Sequence, residues 1–179
     1  MASTPIRILL TGPPGCGKTT AVVKIVAALD QRVRMAGFYT QEIREAGRRV
    51  GFRWHRLDGR SGTLAHSQIK SRYRVGKYGV DVASFETEAV SVLDPGAPGV
   101  SLFVIDEIGK MECCSGKFVE AIRRLLRSDR SMLASVAQKG SGLIREVKSH
   151  PGVELLHLTR ENRDDVAQQL AERLVSLAR

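Results

Sequence analysis

The stretch from Gly12 to Thr20 reads Gly-Pro-Pro-Gly-Cys-Gly-Lys-Thr-Thr and restricts the fold more than any other part of the sequence. Gly12, Gly17, Lys18 and Thr19 occupy the fixed positions of the pattern G-x-x-x-x-G-K-[ST]. Its glycines let successive backbone N–H groups turn inward around phosphate oxygens, where a Cβ would obstruct them. Lys18 then reaches the β- and γ-phosphates, and the Thr19 hydroxyl sits on Mg²⁺. Pro13, Pro14, Gly15, Cys16 and Thr20 complete the expected cradle. Ile6–Leu10 before the loop is an apolar run of strand length. Ala21–Leu29 after it is a good helix former with Val22, Ile25, Val26 and Leu29 on one face. Strand, loop and helix follow in the order that a phosphate site requires, and the helix start adds its positive dipole end.

A chain of 179 residues is expected to form one domain, 1–179. No apolar run approaches the roughly 20 residues of a membrane span, so the expectation is a soluble, cytoplasmic protein without a membrane partner. Cys16, Cys113 and Cys114 have no metal-ligand spacing and are expected to be reduced thiols. Cys16 is either an oxidisable thiol inside the phosphate loop or a small filler there.

The formal charge of +9 is unevenly placed. Residues 31–80 hold 12 Lys+Arg against 3 Asp+Glu, whereas the other 129 residues hold 16 of each. Such a surface suits triphosphates, nucleic acid or plain solvation, and charge does not choose among them.

Downstream, 36–44 and 49–57 read as the arms of a β-hairpin turning at 45–48, with shorter strands expected at 63–68 and 73–82. Ser84–Leu93 reads as a helix with Ser84 as N-cap. Val100–Ile105 is an apolar run typical of a buried parallel strand and ends in Asp106-Glu107. Ser115 caps a helix whose Phe118, Val119, Ile122, Leu125 and Leu126 form a stripe. A strand at 131–136, a short helix near 143–149, a strand at 153–158 and a last helix near 164–177 complete the chain. Alternating strands and helices predict an α/β fold: a mostly parallel sheet with helices on both faces and a β-rich basic insertion after the first helix.

A phosphate loop needs a carboxylate for its metal at the C-terminal end of a neighbouring apolar strand. Asp106 fits that place, and Glu107 beside it fits a general base that orients water for in-line attack. Asp106-Glu107-Ile108-Gly109 also matches the D-x-x-G of GTPase switch regions, but no N-K-x-D guanine signature follows. The acidic pair therefore points to the additional-strand, catalytic-glutamate branch of phosphate-loop enzymes, a step of fold analogy.

The longer string Asp106-Glu107-Ile108-Gly109-Lys110-Met111-Glu112 resembles the signature of the small nucleoside-triphosphatases first described from thermophiles and also known as cancer-related nucleoside-triphosphatase. Gly37–Thr40 with Arg48–Phe52, Val80-Asp81 with Phe85-Glu86, and Thr159–Arg163 are similar to that family in order and spacing, over nearly the whole chain. Cys113 departs from it, standing where the family usually has Leu. The resemblance implies a RecA-like P-loop NTPase fold and Mg²⁺-dependent hydrolysis of ATP, GTP, CTP and UTP to diphosphates. It implies that Gly12, Gly17, Lys18 and Thr19 bind phosphates and metal, that Asp106 assists Mg²⁺ and that Glu107 activates water. Lys110 is implied near the transferring phosphate, and Asn162 and Arg163 over the base.

Two other classes stay open: a nucleotide or polynucleotide kinase, and a nucleotide-dependent nucleic-acid-binding switch. Phe38, Tyr39, Phe52, Trp54, Tyr73 and Tyr78 of the insertion either stack bases or form its core. Turnover is expected to be slow, because no arginine finger is evident after the acidic pair. Arg44, Arg48 and Arg49 are candidates for that cation, and Ser135 or Lys139 for a γ-phosphate sensor.

Overall fold

The computed structural model describes residues 4–178; residues 1–3 and 179 of the expected domain lie outside the described residues. Among the described residues, nine strands form one sheet in the order β5-β6-β4-β3-β2-β7-β8-β1-β9. The parallel block comprises β2 (Met35–Glu45), β7 (Leu102–Ile108), β8 (Ser131–Val136), β1 (Arg7–Thr11) and β9 (Glu154–His157). An antiparallel meander extends it through β3 (Arg48–Arg56), β4 (Ser61–His66), β6 (Tyr78–Val80) and β5 (Arg74–Val75). The meander is the basic insertion expected from the sequence.

Period-two alternation in the parallel strands divides the apolar residues between two cores. Ile8, Leu10, Leu102, Val104 and Leu133 point to one face, where α1 (Lys18–Leu29) and, after the last strand, the helix Arg163–Leu174 cover them. Leu9, Phe103, Ile105, Met132, Ala134 and Val136 point to the other. There they meet the segment 82–92, the helix Gly116–Arg127 and the short helix Leu143–Lys148. In chain order the helices after α1 are α2 (Val82–Ser84), α3 (Gly116–Arg127), α4 (Leu143–Lys148) and α5 (Arg163–Leu174).

Strand β8 lies between β1, which leads into the phosphate loop, and β7, which carries the acidic pair. That interposed strand is what the absent guanine signature and the acidic pair anticipated. The aromatic residues of the insertion serve mainly as core. Phe38, Trp54 and Tyr78 are buried, and Phe52 and Tyr73 pack partly against them. Tyr39 instead stacks on His55, with ring centroids 5.1 Å apart.

One helix differs from expectation. Its first turn starts at Val82, widens into a π-helical turn over Phe85–Ala89 and tightens to a 3₁₀ turn over Val90–Val92. The N-cap is Asp81, whose carboxylate accepts the Ser84 backbone N–H at 3.0 Å, so Ser84 lies inside the helix. The wider turn lets Phe85, Ala89, Val90 and Leu93 all face the core, with Phe85 edge-on to Phe38 at 5.4 Å. Ser115 caps α3 as expected, accepting the Phe118 N–H at 2.9 Å.

The two candidate caps separate in a denaturation experiment. Asp81→Ala is expected to lower stability by about 1 kcal/mol in urea titrations, and Ser84→Ala to leave the midpoint unchanged. Equal losses in both variants would contradict the observed cap.

Candidate active site

The C-terminal ends of the parallel strands converge on one carboxylate. Asp106 is fully buried near the end of β7. Its Oδ2 accepts the Thr19 hydroxyl at 2.7 Å and the Thr40 backbone N–H at 3.3 Å. Its Oδ1 accepts the Ser135 hydroxyl. The head of α1, β2 and β8 are thereby tied to β7 through a single side chain. Ser135 is spent on Asp106, and this explains a serine in the middle of the buried strand β8.

The loop preceding α1 folds tightly beneath the site. A Cβ on Gly12 would lie 2.4 Å from the Leu158 carbonyl oxygen, so only glycine lets β1 turn into the loop beside the chain leaving β9. Gly17 holds φ +100° immediately before α1. Cys16 is buried under the loop with its Sγ against Gly12, as a small filler would be. Lys18 donates from Nζ to the Gly12 carbonyl at 3.2 Å and lies 3.7 Å from Glu107 Oε2. Lys18 and Glu107 thus meet where β7 and the phosphate loop end.

A third carboxyl lies against this pair. Glu112, in the turn after β7, is 5 % exposed. A Cβ on Gly109 would come within 2.8 Å of Glu112 Oε2 and 3.0 Å of Glu107 Oε1, so the two carboxyl groups converge on the space that Gly109 leaves free. Burial raises the pKa of all three acids. For Asp106, the hydroxyls of Ser135 and Thr19, the Thr40 N–H and the Lys18 charge oppose the rise. For Glu107 the Lys18 ammonium opposes it. Glu112 has the negative charge of Glu107 beside it instead, and is pushed up to about 8.

The remaining candidates are spread around this centre. Lys110 is exposed, two residues past the end of β7. Arg163 opens α5 and lays its side chain over the loop: a Cβ on Gly17 would meet Arg163 Cδ at 2.6 Å and Nη1 at 2.8 Å. Asn162 uses its amide locally, accepting the Thr159 N–H at 2.8 Å and donating to the His157 carbonyl at 3.0 Å. Arg160, which the sequence reading passed over, reaches the Gly15 carbonyl with a long 3.4 Å contact. Among the hairpin arginines, Arg44 and Arg49 both pair with Glu42, at 2.6 and 2.8 Å. Thr40 and Glu112 were likewise not singled out. Glu112 sat inside the quoted signature, and its spacing alone carries no sign that it is buried.

Thr19 and Asp106 are hard oxygen donors. Among the described residues no cluster of three or more His, Cys, Asp or Glu side chains offers a self-sufficient metal cage. A cation bound here would share its shell with phosphate oxygens and water, which is how Mg²⁺ binds in phosphate-transfer sites.

Comparison with known proteins places this arrangement in context. Residues 7–171 match a family model described as NTPase. The nucleoside-triphosphatase THEP1 of Thermotoga petrophila is 38% identical over 165 residues, spanning 92% of this chain and 90% of that protein. The human cancer-related nucleoside-triphosphatase is 38% identical over 172 residues, 88% of this chain and 90% of that one. The crystal structure of THEP1 from Aquifex aeolicus superposes with a TM-score of 0.85 at 35% identity, covering 94% of this chain and 99% of that one. The solution structure of the human protein gives a TM-score of 0.80 at 36% identity, covering 96% and 98%.

The position of Glu112 has a thermodynamic consequence. Its folded-state pKa lies above the ordinary 4.5, so the proton it keeps stabilises the fold fully below pH 4.5. That contribution is lost as pH rises toward about 8. Between these limits Glu112 is expected to lower the stability of nucleotide-free protein by roughly 1 kcal/mol per pH unit. Glu112→Gln is expected to remove this slope in chemical denaturation at successive pH values. Parallel profiles for wild type and variant would exclude a buried, protonated Glu112.

Proposed function

The chain belongs to the NTPase family, and on that premise we propose that it hydrolyses the γ-phosphate of ATP, GTP, CTP and UTP with Mg²⁺, giving nucleoside diphosphate and phosphate. The observation that carries this reading is the pairing of Glu107 with Lys18 directly beside the Thr19–Asp106 hydrogen bond. A base, a phosphate-binding cation and a metal-side carboxylate then share one strand end.

The loop 12–20, with Pro13, Pro14, Gly15, Cys16 and Thr20 shaping it, cradles the phosphates through its backbone N–H groups. Lys18 offsets charge on the β- and γ-oxygens, while Thr19 and Asp106 hold Mg²⁺. When bound, that ion neutralises charge on the phosphate oxygens. Glu107 accepts a proton from the attacking water as the new P–O bond forms in line with the breaking one. Burial makes Glu107 a stronger base than a solvated carboxylate, and the Lys18 charge opposes that rise. Lys110, exposed two residues past the end of β7, is assigned to the transferring phosphate. Arg163 stacks on the base; a guanidinium plane accepts any base, which supports broad specificity. Asn162 fixes the turn that presents it.

Slow turnover is expected from the hairpin arginines, since Arg44 and Arg49 pair with Glu42 and Arg48 is exposed at the turn. One domain, 1–179, carries the whole site. Among the described residues no helix is long and apolar enough to cross a membrane. The three cysteines are free, which suits the reducing cytoplasm.

Phosphate release from the four triphosphates tests this reading. Lys18→Ala is expected to lose both binding and turnover. Glu107→Ala should keep nucleotide affinity and lose about 10²–10⁴ in kcat. Label from γ-labelled ATP appearing on a nucleoside or an RNA 5′ end, rather than as free phosphate, would make the protein a kinase instead.

A further inference from the structure

The cation most needed at a γ-phosphate is one that meets charge developing in the transition state. The basic insertion does not supply it in cis: Arg44 and Arg49 are held by Glu42, and Arg48 is exposed at the hairpin turn. A different residue stands at the site. Lys148 ends α4, whose Leu143, Ile144 and Val147 are buried against the sheet. That packing turns the last residue of the helix back toward the end of β8. Its ammonium donates to the carbonyls of Ala137 at 2.6 Å and Gln138 at 2.8 Å. Ala137 in turn donates its N–H to the Ile108 carbonyl at 3.1 Å, which fixes it next to the residue after Glu107. The Lys148 ammonium is therefore anchored at the same strand ends as the acidic pair.

Resting on the hydrolase reading above, we propose that Lys148 is a catalytic residue: a cation supplied in cis that donates to the γ-phosphate as it is transferred. An ammonium has three N–H donors, and the two carbonyls use two of them. The third is without a partner among the described residues. The two carbonyls hold the group in one place, so little reorganisation is needed when phosphate charge arrives. The electrostatics agree with the placement. Burial, and then the Lys18 charge, lower the pKa of Lys148, and the Glu107 carboxylate opposes them. Lys18, Glu107 and Lys148 thus lie within Coulombic reach of one another, with Lys18 contributed from the loop side and Lys148 from the β8 side.

A purely structural role, pinning residues 137–138, predicts different behaviour, and the test separates the two. Lys148→Ala is expected to reduce kcat by about 10²–10³, the typical cost of one transition-state donor. Its affinity for ADP should stay at the wild-type value while trapping of ADP with aluminium fluoride, a mimic of the transferring phosphate, is lost. Lys148→Arg should recover part of the rate, and millimolar methylammonium should rescue Lys148→Ala. Arg145→Ala, an exposed change on the same helix, should leave the rate untouched. An unchanged kcat in Lys148→Ala would overturn the proposal. So would a loss of ADP affinity and thermal stability in step with kcat, which would make Lys148 a structural pin. Phosphate release by the wild type, assayed alongside, keeps the two readings apart: if it releases none, the hydrolytic assignment fails and the proposal with it, whereas a hydrolysing wild type with an unchanged kcat in Lys148→Ala overturns the proposal alone.

Discussion

Everything in this structure that concerns phosphate depends on the satisfaction of one buried carboxylate. Asp106 is removed from water, and an ionised carboxylate in such a place is costly unless donors surround it. The donors come from three different elements: Thr19 from α1, Thr40 from β2 and Ser135 from β8. Each is a short polar group in a mainly apolar setting, and each loses its partner if the strands slip in register. The hub therefore fixes the head of α1 relative to the sheet, and with it the loop that precedes α1. The phosphate cradle and the metal-side carboxylate are positioned by the same bonds.

The order of strands explains why this hub is possible. With β8 inserted between β1 and β7, the acidic pair does not lie beside the phosphate loop strand. The inserted strand contributes Ser135 to one carboxylate and, through Ala137, a hydrogen bond to the backbone just past the other. On the opposite side of β7, β2 supplies the Thr40 N–H before running on into the basic meander. The meander is thus an extension of the strand that touches the site, and its own aromatic core lets it project from the sheet edge without a covering helix of the usual length.

How much of this was legible in the sequence follows from the range of the interactions. The phosphate loop is a local signal, because its chemistry needs fixed residues at adjacent positions, and it was read in full. Strands β1, β7 and β8 were legible because burial on both faces demands continuous apolar runs. The hairpin 36–57 was legible from alternation and its Gly47 turn. The helix near 84–93 and its apolar face of Phe85, Ala89, Val90 and Leu93 were legible, but its π turn was not, because Phe85 meets Phe38 from a distant segment. For the same reason Ser84 looked like a cap, when Asp81 takes that role three residues earlier. Lys148 and Glu112 were not legible as site residues: a lysine at the end of a short helix and a glutamate in the turn after a strand are ordinary surface patterns. The turn at Gly109 brings Glu112 to Glu107, and the packing of α4 brings Lys148 to the end of β8.

The three carboxyl groups show how one environment yields different chemistry. All are buried, so desolvation pushes each toward its neutral form, and their partners decide the outcome. Asp106 has hydrogen-bond donors that favour its charged form and suit it to a cation. Burial raises the pKa of Glu107, and the charges of Lys18, 3.7 Å away, and of Lys148 oppose that rise. Glu112 has no cation opposing its burial and faces the charge of Glu107, so it is pushed up to about 8 and keeps a proton into the neutral range. Because Glu112 is neutral there, it adds no second negative charge next to the base. Were it ionised, Lys18 would be shared between two carboxylates, and less of its charge would be left for the γ-phosphate. The protonated Glu112 thus preserves the cationic face of the site for the substrate, which is why a carboxyl can be buried so close to a carboxylate whose task is to take a proton.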